Sequence, residues 1–218
     1  VLVGLLITPE PSGQPYSEAV SWLGETSEGK AEWRSALLQR RRELDETTRS
    51  VENDALISAL VEWARERAIR SVGAYVPVKG EPGSTKLLDG LQEQGCRVLL
   101  PVVASDDAPL DWAVYTGRQS LQRARFGLLE PTGERLGPEA IAQAQALLVP
   151  ALAVDRSGVR LGRGAGYYDR SLPLAAPQAV LIGVVRDDEF VEELPAEPHD
   201  VRMTAVVTPK LGVRALPV

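Results

Sequence analysis

Apolar residues recur at helical spacing over residues 30–44 and 51–69, which predicts two helices. In the first, Trp33, Leu37 and Leu44 form an apolar stripe beside a basic one of Lys30, Arg34 and Arg41. Short apolar runs then follow at residues 71–78 (SVGAYVPV) and 96–103 (CRVLLPVV), which predict buried strands. Between them, residues 85–94 read as a helix that Gly95 stops. Residues 110–116 alternate like an edge or antiparallel strand. A short helix with Pro at its start is predicted over 138–145. Runs at 146–154, 179–185 and 204–208 have strand length. Strands separated by helices predict an α/β fold: a single three-layer domain with a mainly parallel sheet and helices on both faces. Ligands of such sheets bind beyond the carboxyl ends of the strands, so the loops after strands are the places to look.

Composition narrows the class. The 218 residues are 44% hydrophobic and 25% charged, which excludes collagen-like and disordered chains. The formal charge of −6 argues against a general nucleic-acid binder. Residues 1–29 hold Glu10, Glu18, Glu25 and Glu28 without a basic residue, so the body carries only −2. An anionic ligand must therefore be met by locally clustered cations. The division expected is an N-terminal extension over 1–29, mobile or an upstream artefact of gene-start choice, and a domain over 30–218. The opening apolar run of seven residues is too short for a bilayer span, which takes roughly 20. One cysteine, Cys96, excludes an intramolecular disulfide and a cysteine zinc cluster, and one histidine excludes a His-rich metal site. A cytoplasmic monomer acting on small molecules, with no nucleic-acid or membrane partner, is the expected setting.

Residues 154–170 (VDRSGVRLGRGAGYYDR) concentrate the chemistry. Gly162, Gly164 and Gly166 let successive amides turn toward one point, and their missing side chains admit an anion. Arg160 and Arg163 add forked donors. A helix beginning near Tyr167 would aim its positive end at the same place. The spacing matches neither the dinucleotide fingerprint nor the Walker loop, so the prediction is a phosphate cradle of another kind. Tyr167 and Tyr168 point about 100° apart on a helix, so both pack inward or one faces a ligand. Asp169 reads either as a first-turn carboxylate favoured by the helix dipole or as a ligand for a divalent cation beside phosphate. The Lys30, Arg34 and Arg41 stripe is either solvated or turned to a ligand. Glu81 lies in a binding-loop position after a strand, residues 126–131 (FGLLEP) form a turn-bearing loop, and residues 197–200 (EPHD) hold the single histidine and another carboxylate.

These segments together resemble the 5-formyltetrahydrofolate cyclo-ligase (5,10-methenyltetrahydrofolate synthetase) family. The string from Arg160 to Asp169, the upstream residues 149–155 (VPALAVD), the 126–131 loop and residues 197–200 carry the likeness, which extends in order from about Lys30 to Val213. The resemblance implies conversion of 5-formyltetrahydrofolate to 5,10-methenyltetrahydrofolate with ATP and Mg²⁺, through phosphorylation of the formyl oxygen and attack by N10. It implies ATP binding by Lys30, Arg34, Arg160, Gly162, Arg163, Gly164, Ala165, Gly166, Tyr167 and Tyr168. Folate binding falls to Glu81, Trp112 and the stretch Arg163, Gly164, Ala165, Gly166 and Tyr167. Asp169 and Asp200 become the metal ligands, and Arg163 and Tyr168 the catalytic candidates. The chain departs from the family pattern at Ala151, Val154 and Thr204, and at residues 82–84 (PGS). Two other classes stay open from sequence: a non-catalytic nucleotide or folate binder, and an α/β interaction protein whose glycine turn is structural.

Overall fold

The structure, a computed structural model, describes residues 29–217 apart from Lys79, Arg125, Phe126, Pro198 and His199. The extension expected over residues 1–29 therefore lies, Gly29 aside, outside the described residues.

Seven strands make the main sheet, in the order β12-β11-β9-β6-β1-β2-β3. They are β1 (Ser71–Gly73), β2 (Arg97–Val102), β3 (Asp111–Val114), β6 (Ala146–Pro150), β9 (Val180–Val184), β11 (Ala205–Thr208) and β12 (Gly212–Ala215). The interior pairs β2/β1, β1/β6, β6/β9 and β9/β11 are parallel, and the two edges, β3 and β12, pair antiparallel. The predicted three-layer α/β architecture is the one observed.

Alternation along each strand sorts the side chains onto two faces. Val98 and Leu100 of β2, Ala146 and Leu148 of β6, and Ile182 and Val184 of β9 join one core. Leu99, Leu147, Val149 and Leu181 join the other. The first core is covered by α2 (Glu46–Glu66) and α3 (Thr85–Glu93), through Leu56, Leu60, Leu88 and Leu91, all at most 1% exposed. Each such leucine contributes about 1.5–3 kcal/mol by leaving water. The second face is covered less regularly. Short 3₁₀ turns at Pro138–Gln143 and Leu172–Leu174 and the five-residue α4 (Tyr167–Ser171) do that work, so full-length helices flank only one face.

Local chemistry sets the boundaries. Asp45 accepts hydrogen bonds from the Thr48 amide and hydroxyl and starts α2 at Glu46, five residues before the apolar periodicity becomes visible. Ser84 caps α3, and Gly95, at φ +80°, ends it as expected. The run at 146–154 is not one strand. β6 stops at Pro150, and β7 (Ala153–Asp155) leaves for a three-stranded sheet, β10-β7-β8, with β8 (Arg160–Leu161) and β10 (Phe190–Val191). The helix α1 (Lys30–Glu43) packs Trp33 and Leu37 onto that small sheet, against Leu152, Val159, Leu161 and Leu194. A further hairpin, β4 (Leu121–Arg123) with β5 (Leu129–Pro131), lies alongside β2.

Candidate active site

A cavity of about 380 Å³ opens at the carboxyl ends of β1, β2 and β6. The topology puts it there. β1 continues into the loop carrying Tyr75 and Glu81, β2 leads to Val103, and β6 leads to Ala151. The hairpin β7–β8 then brings the chain back, so that residues 162–166 form a wall of the same cavity. Asp155 fixes the hairpin turn by accepting hydrogen bonds from the amides of Ser157, Val159 and Leu194.

The glycine loop requires glycine for its backbone conformation. Gly164 (φ +97°) and Gly166 (φ +73°) occupy backbone conformations that L side chains rarely adopt. A Cβ on Gly166 would also lie 2.5 Å from an Arg170 nitrogen. The helix that follows, α4, has only five residues, so the helix-dipole contribution expected from sequence is small. The cationic side chains supply the positive character instead. Arg34 reaches the loop from α1, its Nε donating to the Gly162 carbonyl at 3.0 Å. Tyr167 and Arg170 tie the loop to residues 106–108: the Tyr167 hydroxyl meets Asp106 at 3.2 Å, and Arg170 donates to the Asp106 and Ala108 carbonyls.

Three of the predicted anion-binding cations, Lys30, Arg160 and Arg163, are each held by an acidic group. Lys30 meets Asp200 at 2.9 Å and Glu197 at 3.0 Å. Partial burial alone would lower its ammonium pKa, but these hydrogen bonds and charges outweigh it and hold the pKa above the usual value. Arg160 is 9% exposed; it pairs with Asp169, donates to the Pro150 carbonyl and lies over the Tyr168 ring at 5.7 Å. Arg163, more exposed, crosses the cavity mouth to Glu81 at 2.9 Å. The Glu81 side chain is 9% exposed, and its second oxygen accepts from the Val78 amide. The Glu81 loop is pinned by the Tyr75 hydroxyl, which donates to the Pro82 carbonyl at 2.6 Å, and by Asn53, which accepts from the Gly83 amide. Tyr168 lines the cavity, and its buried hydroxyl has no hydrogen-bond partner among the described residues. Burial, then the nearby Glu81 charge, pushes its phenol well above the usual range, so it keeps a proton that it can donate.

Most of the predicted residues thus converge. Glu81, Arg160, Tyr168, Asp169 and the loop from Gly162 to Tyr167 line one cavity, and Arg34 reaches it through Gly162. Trp112 is not brought there. It is 1% exposed and belongs to the core with Leu99, Ile141 and Leu147, because β3 is covered on the face where Trp112 points. Asp169 and Asp200 each pair with a different cation, and no group of three or more His, Cys, Asp or Glu side chains gathers among the described residues. His199 lies outside the described residues. Arg41, third in the basic stripe, is neither solvated nor free to meet a ligand: it is 4% exposed and paired with Glu189 at 2.6 Å. Sequence reasoning missed Tyr75 and gave no role to Glu130, both in the cavity wall. The signal available for Glu130 was its place in the turn-bearing 126–131 segment.

An open α/β sheet with a glycine–arginine loop and a buried carboxylate facing each other beyond the strand ends has the enzyme-type arrangement, a cavity at the carboxyl ends of the strands. The chain belongs to the 5-formyltetrahydrofolate cyclo-ligase family, which it matches over residues 26–209. It is 54% identical to the 5-formyltetrahydrofolate cyclo-ligase of Mycolicibacterium smegmatis, over 86% of this chain and 97% of that one. Identity to the Escherichia coli K12 protein of the same name is 29%, over 78% of this chain and 95% of that one. Among solved structures, the NMR structure of Aquifex aeolicus 5,10-methenyltetrahydrofolate synthetase superimposes with a TM-score of 0.74 at 31% identity, covering 87% of this chain and 93% of that one.

Proposed function

We propose that this protein cyclises 5-formyltetrahydrofolate to 5,10-methenyltetrahydrofolate, consuming ATP and releasing ADP and phosphate. The observation that carries the reading is the single cavity in which the glycine–arginine loop faces Glu81. A non-catalytic binder, one of the two other readings open from sequence, is not favoured, since the relatives bear the enzyme's name.

The residues divide the work as follows. Lys30, Arg34 and the amides of residues 162–166 hold the nucleotide phosphates. Glu81 accepts hydrogen bonds from the amino-pterin edge of the folate, for which its two oxygens have the right spacing. Arg163 exchanges its Glu81 partner for the transferring phosphoryl group and stabilises the charge that develops there. Tyr168 donates its retained proton to an oxygen of the ligand. The chain's main contributions are positioning and electrostatic stabilisation.

The donor set fits a magnesium ion carried in on nucleotide phosphates. Such an ion takes one or two carboxylates and keeps phosphate oxygens and waters. Asp169, which lines the cavity, and Asp200, which pairs with Lys30, are the two carboxylates that would hold it. Bound there, magnesium would neutralise phosphate charge. We take the protein to act in the cytoplasm as a monomer; its one cysteine, Cys96, is buried and free.

The test is direct. Protein, ATP, Mg²⁺ and 5-formyltetrahydrofolate are mixed and the methenyl chromophore is followed. ATP-dependent growth of absorbance is expected, and its absence in well-folded protein refutes the reading. Asp169→Asn should weaken the Mg²⁺ dependence; an unchanged titration removes its metal role.

A further inference from the structure

Ring closure leaves a proton to dispose of, because N10 enters the reaction carrying hydrogen and leaves without it. We propose that Glu130 is the catalytic residue that accepts this proton, an inference that rests on the reaction proposed above.

The cavity wall presents three carboxylates among the described residues, and two are committed. Glu81 holds the pterin edge in the reaction proposed above, once Arg163 has left it, and also accepts from the Val78 amide. Asp169 is paired with Arg160. The three phenols of the wall, Tyr75, Tyr167 and Tyr168, belong to a class that ordinarily ionises only near about 10, so they act as donors at physiological pH. Arg41, Arg160 and Arg163 are cations and cannot take a proton. Glu130 is the remaining acceptor. It stands in β5, half-buried, with Oε1 accepting from the Val103 amide at 2.9 Å. That bond fixes the carboxylate at the carboxyl end of β2, one strand along from the β1 loop that carries Glu81. Oε2 has no hydrogen bond or ion pair among the described residues. A folate held by its pyrimidine edge at Glu81 extends its N10 side away from that carboxylate, and Glu130 is the base available on another part of the wall.

The step balances. The N10 lone pair forms the new bond to the phosphorylated formyl carbon. The N10–H bond breaks, its electrons stay on nitrogen, and the proton goes to Glu130 Oε2. The carbon–oxygen bond to phosphate then breaks, phosphate leaves with the bonding pair, and the cationic methenyl bridge remains.

The experiment separates the two half-steps in the wild type, Glu130→Gln and Glu130→Ala. Glutamine keeps an oxygen for the Val103 amide, so thermal unfolding should be unchanged. In rapid-quench single turnovers, Glu130→Gln should form ADP within a few-fold of the wild-type rate. Its methenyl chromophore should appear about a hundredfold or more slower, the usual contribution of a general base. Added acetate should restore the chromophore rate of Glu130→Ala in a concentration-dependent way. A wild-type chromophore rate in Glu130→Gln overturns the inference, assigning the proton to water or phosphate. Equal slowing of ADP and chromophore, without acetate rescue, also overturns it in favour of a purely structural role. If wild-type protein makes no ATP-dependent chromophore, the reaction itself is misassigned and this inference falls with it.

Discussion

Replacing Arg41 by methionine tests the most deeply buried charge next to the cavity. Arg41 and Glu189 side chains are each 3% exposed. Arg41 Nε and Nη2 meet the two Glu189 oxygens at 2.6 and 2.7 Å, and Nη2 also donates to the Ala151 carbonyl at 2.6 Å. Burial alone would lower the guanidinium pKa, but the Glu189 hydrogen bonds and charge more than offset it and leave it raised. Methionine fills most of the arginine stem yet leaves Glu189 buried with no Arg41 counter-charge, still accepting from the Arg186 amide. Removing one partner of a buried pair costs about 3–5 kcal/mol. Arg186 lies close enough to Arg41 to feel its repulsion, and relief of that repulsion favours the lower half of the range. A domain of this size loses roughly 2–4 °C per kcal/mol, so the melting temperature should fall by roughly 6–16 °C. The double variant Arg41→Met/Glu189→Met removes both charges and should recover most of the loss, since apolar replacements of buried pairs are often neutral or stabilising. Thermal unfolding followed by circular dichroism measures all three proteins. A single variant melting with the wild type, or a double variant as unstable as the single, refutes the argument.

Three further outcomes are expected. Glu81→Gln removes a charged acceptor worth about 1.5–3 kcal/mol, so KM for 5-formyltetrahydrofolate should rise roughly ten- to a hundredfold while KM for ATP changes little; equal changes in both constants would contradict the folate role. Gly166→Ala forces a left-handed conformation costing about 1–2 kcal/mol and crowds Arg170, so stability and ATP affinity should both fall; an unaltered ATP titration would count against the loop. In alkaline ultraviolet titration Tyr75, Tyr115 and Tyr168 should ionise late, burial being the first cause in each, with Tyr115 pushed up to about 12. These phenols are protonated in the fold, so their contribution is complete below pH 10 and is lost as pH rises, for Tyr115 through about 12. Ionisation of all three near 10 in folded protein would show that they are not buried.

Residues 160–169 made the glycine–arginine loop visible because its chemistry is local: glycines at alternate positions, flanking arginines and a following Tyr-Tyr-Asp are neighbours in the chain. Other assignments depended on partners distant in sequence. Arg41 has the periodicity of a surface stripe, and only Glu189, 148 residues away, turns it into a buried ion pair. Trp112 alternates as an edge-strand aromatic should, but alternation does not say which face is covered, and the 3₁₀ turn at Pro138–Gln143 covers this one. The run at 146–154 looks like one strand because both pieces are apolar; it breaks after Pro150, where the chain changes sheets.

By itself, then, the sequence determined the layered α/β class, the helix stop at Gly95, the glycine loop and the residues that could meet an anion. Each of these is encoded in spacing over a few residues, where periodicity, φ > 0 and side-chain chemistry act directly. The tertiary structure decided which charges are neutralised and which groups share a cavity. It set Arg163 against Glu81, 82 residues apart, and it left Glu130 with an uncommitted oxygen. Electrostatics and burial depend on distances through space, and parallel strand order brings distant segments to one sheet end that chain order keeps apart.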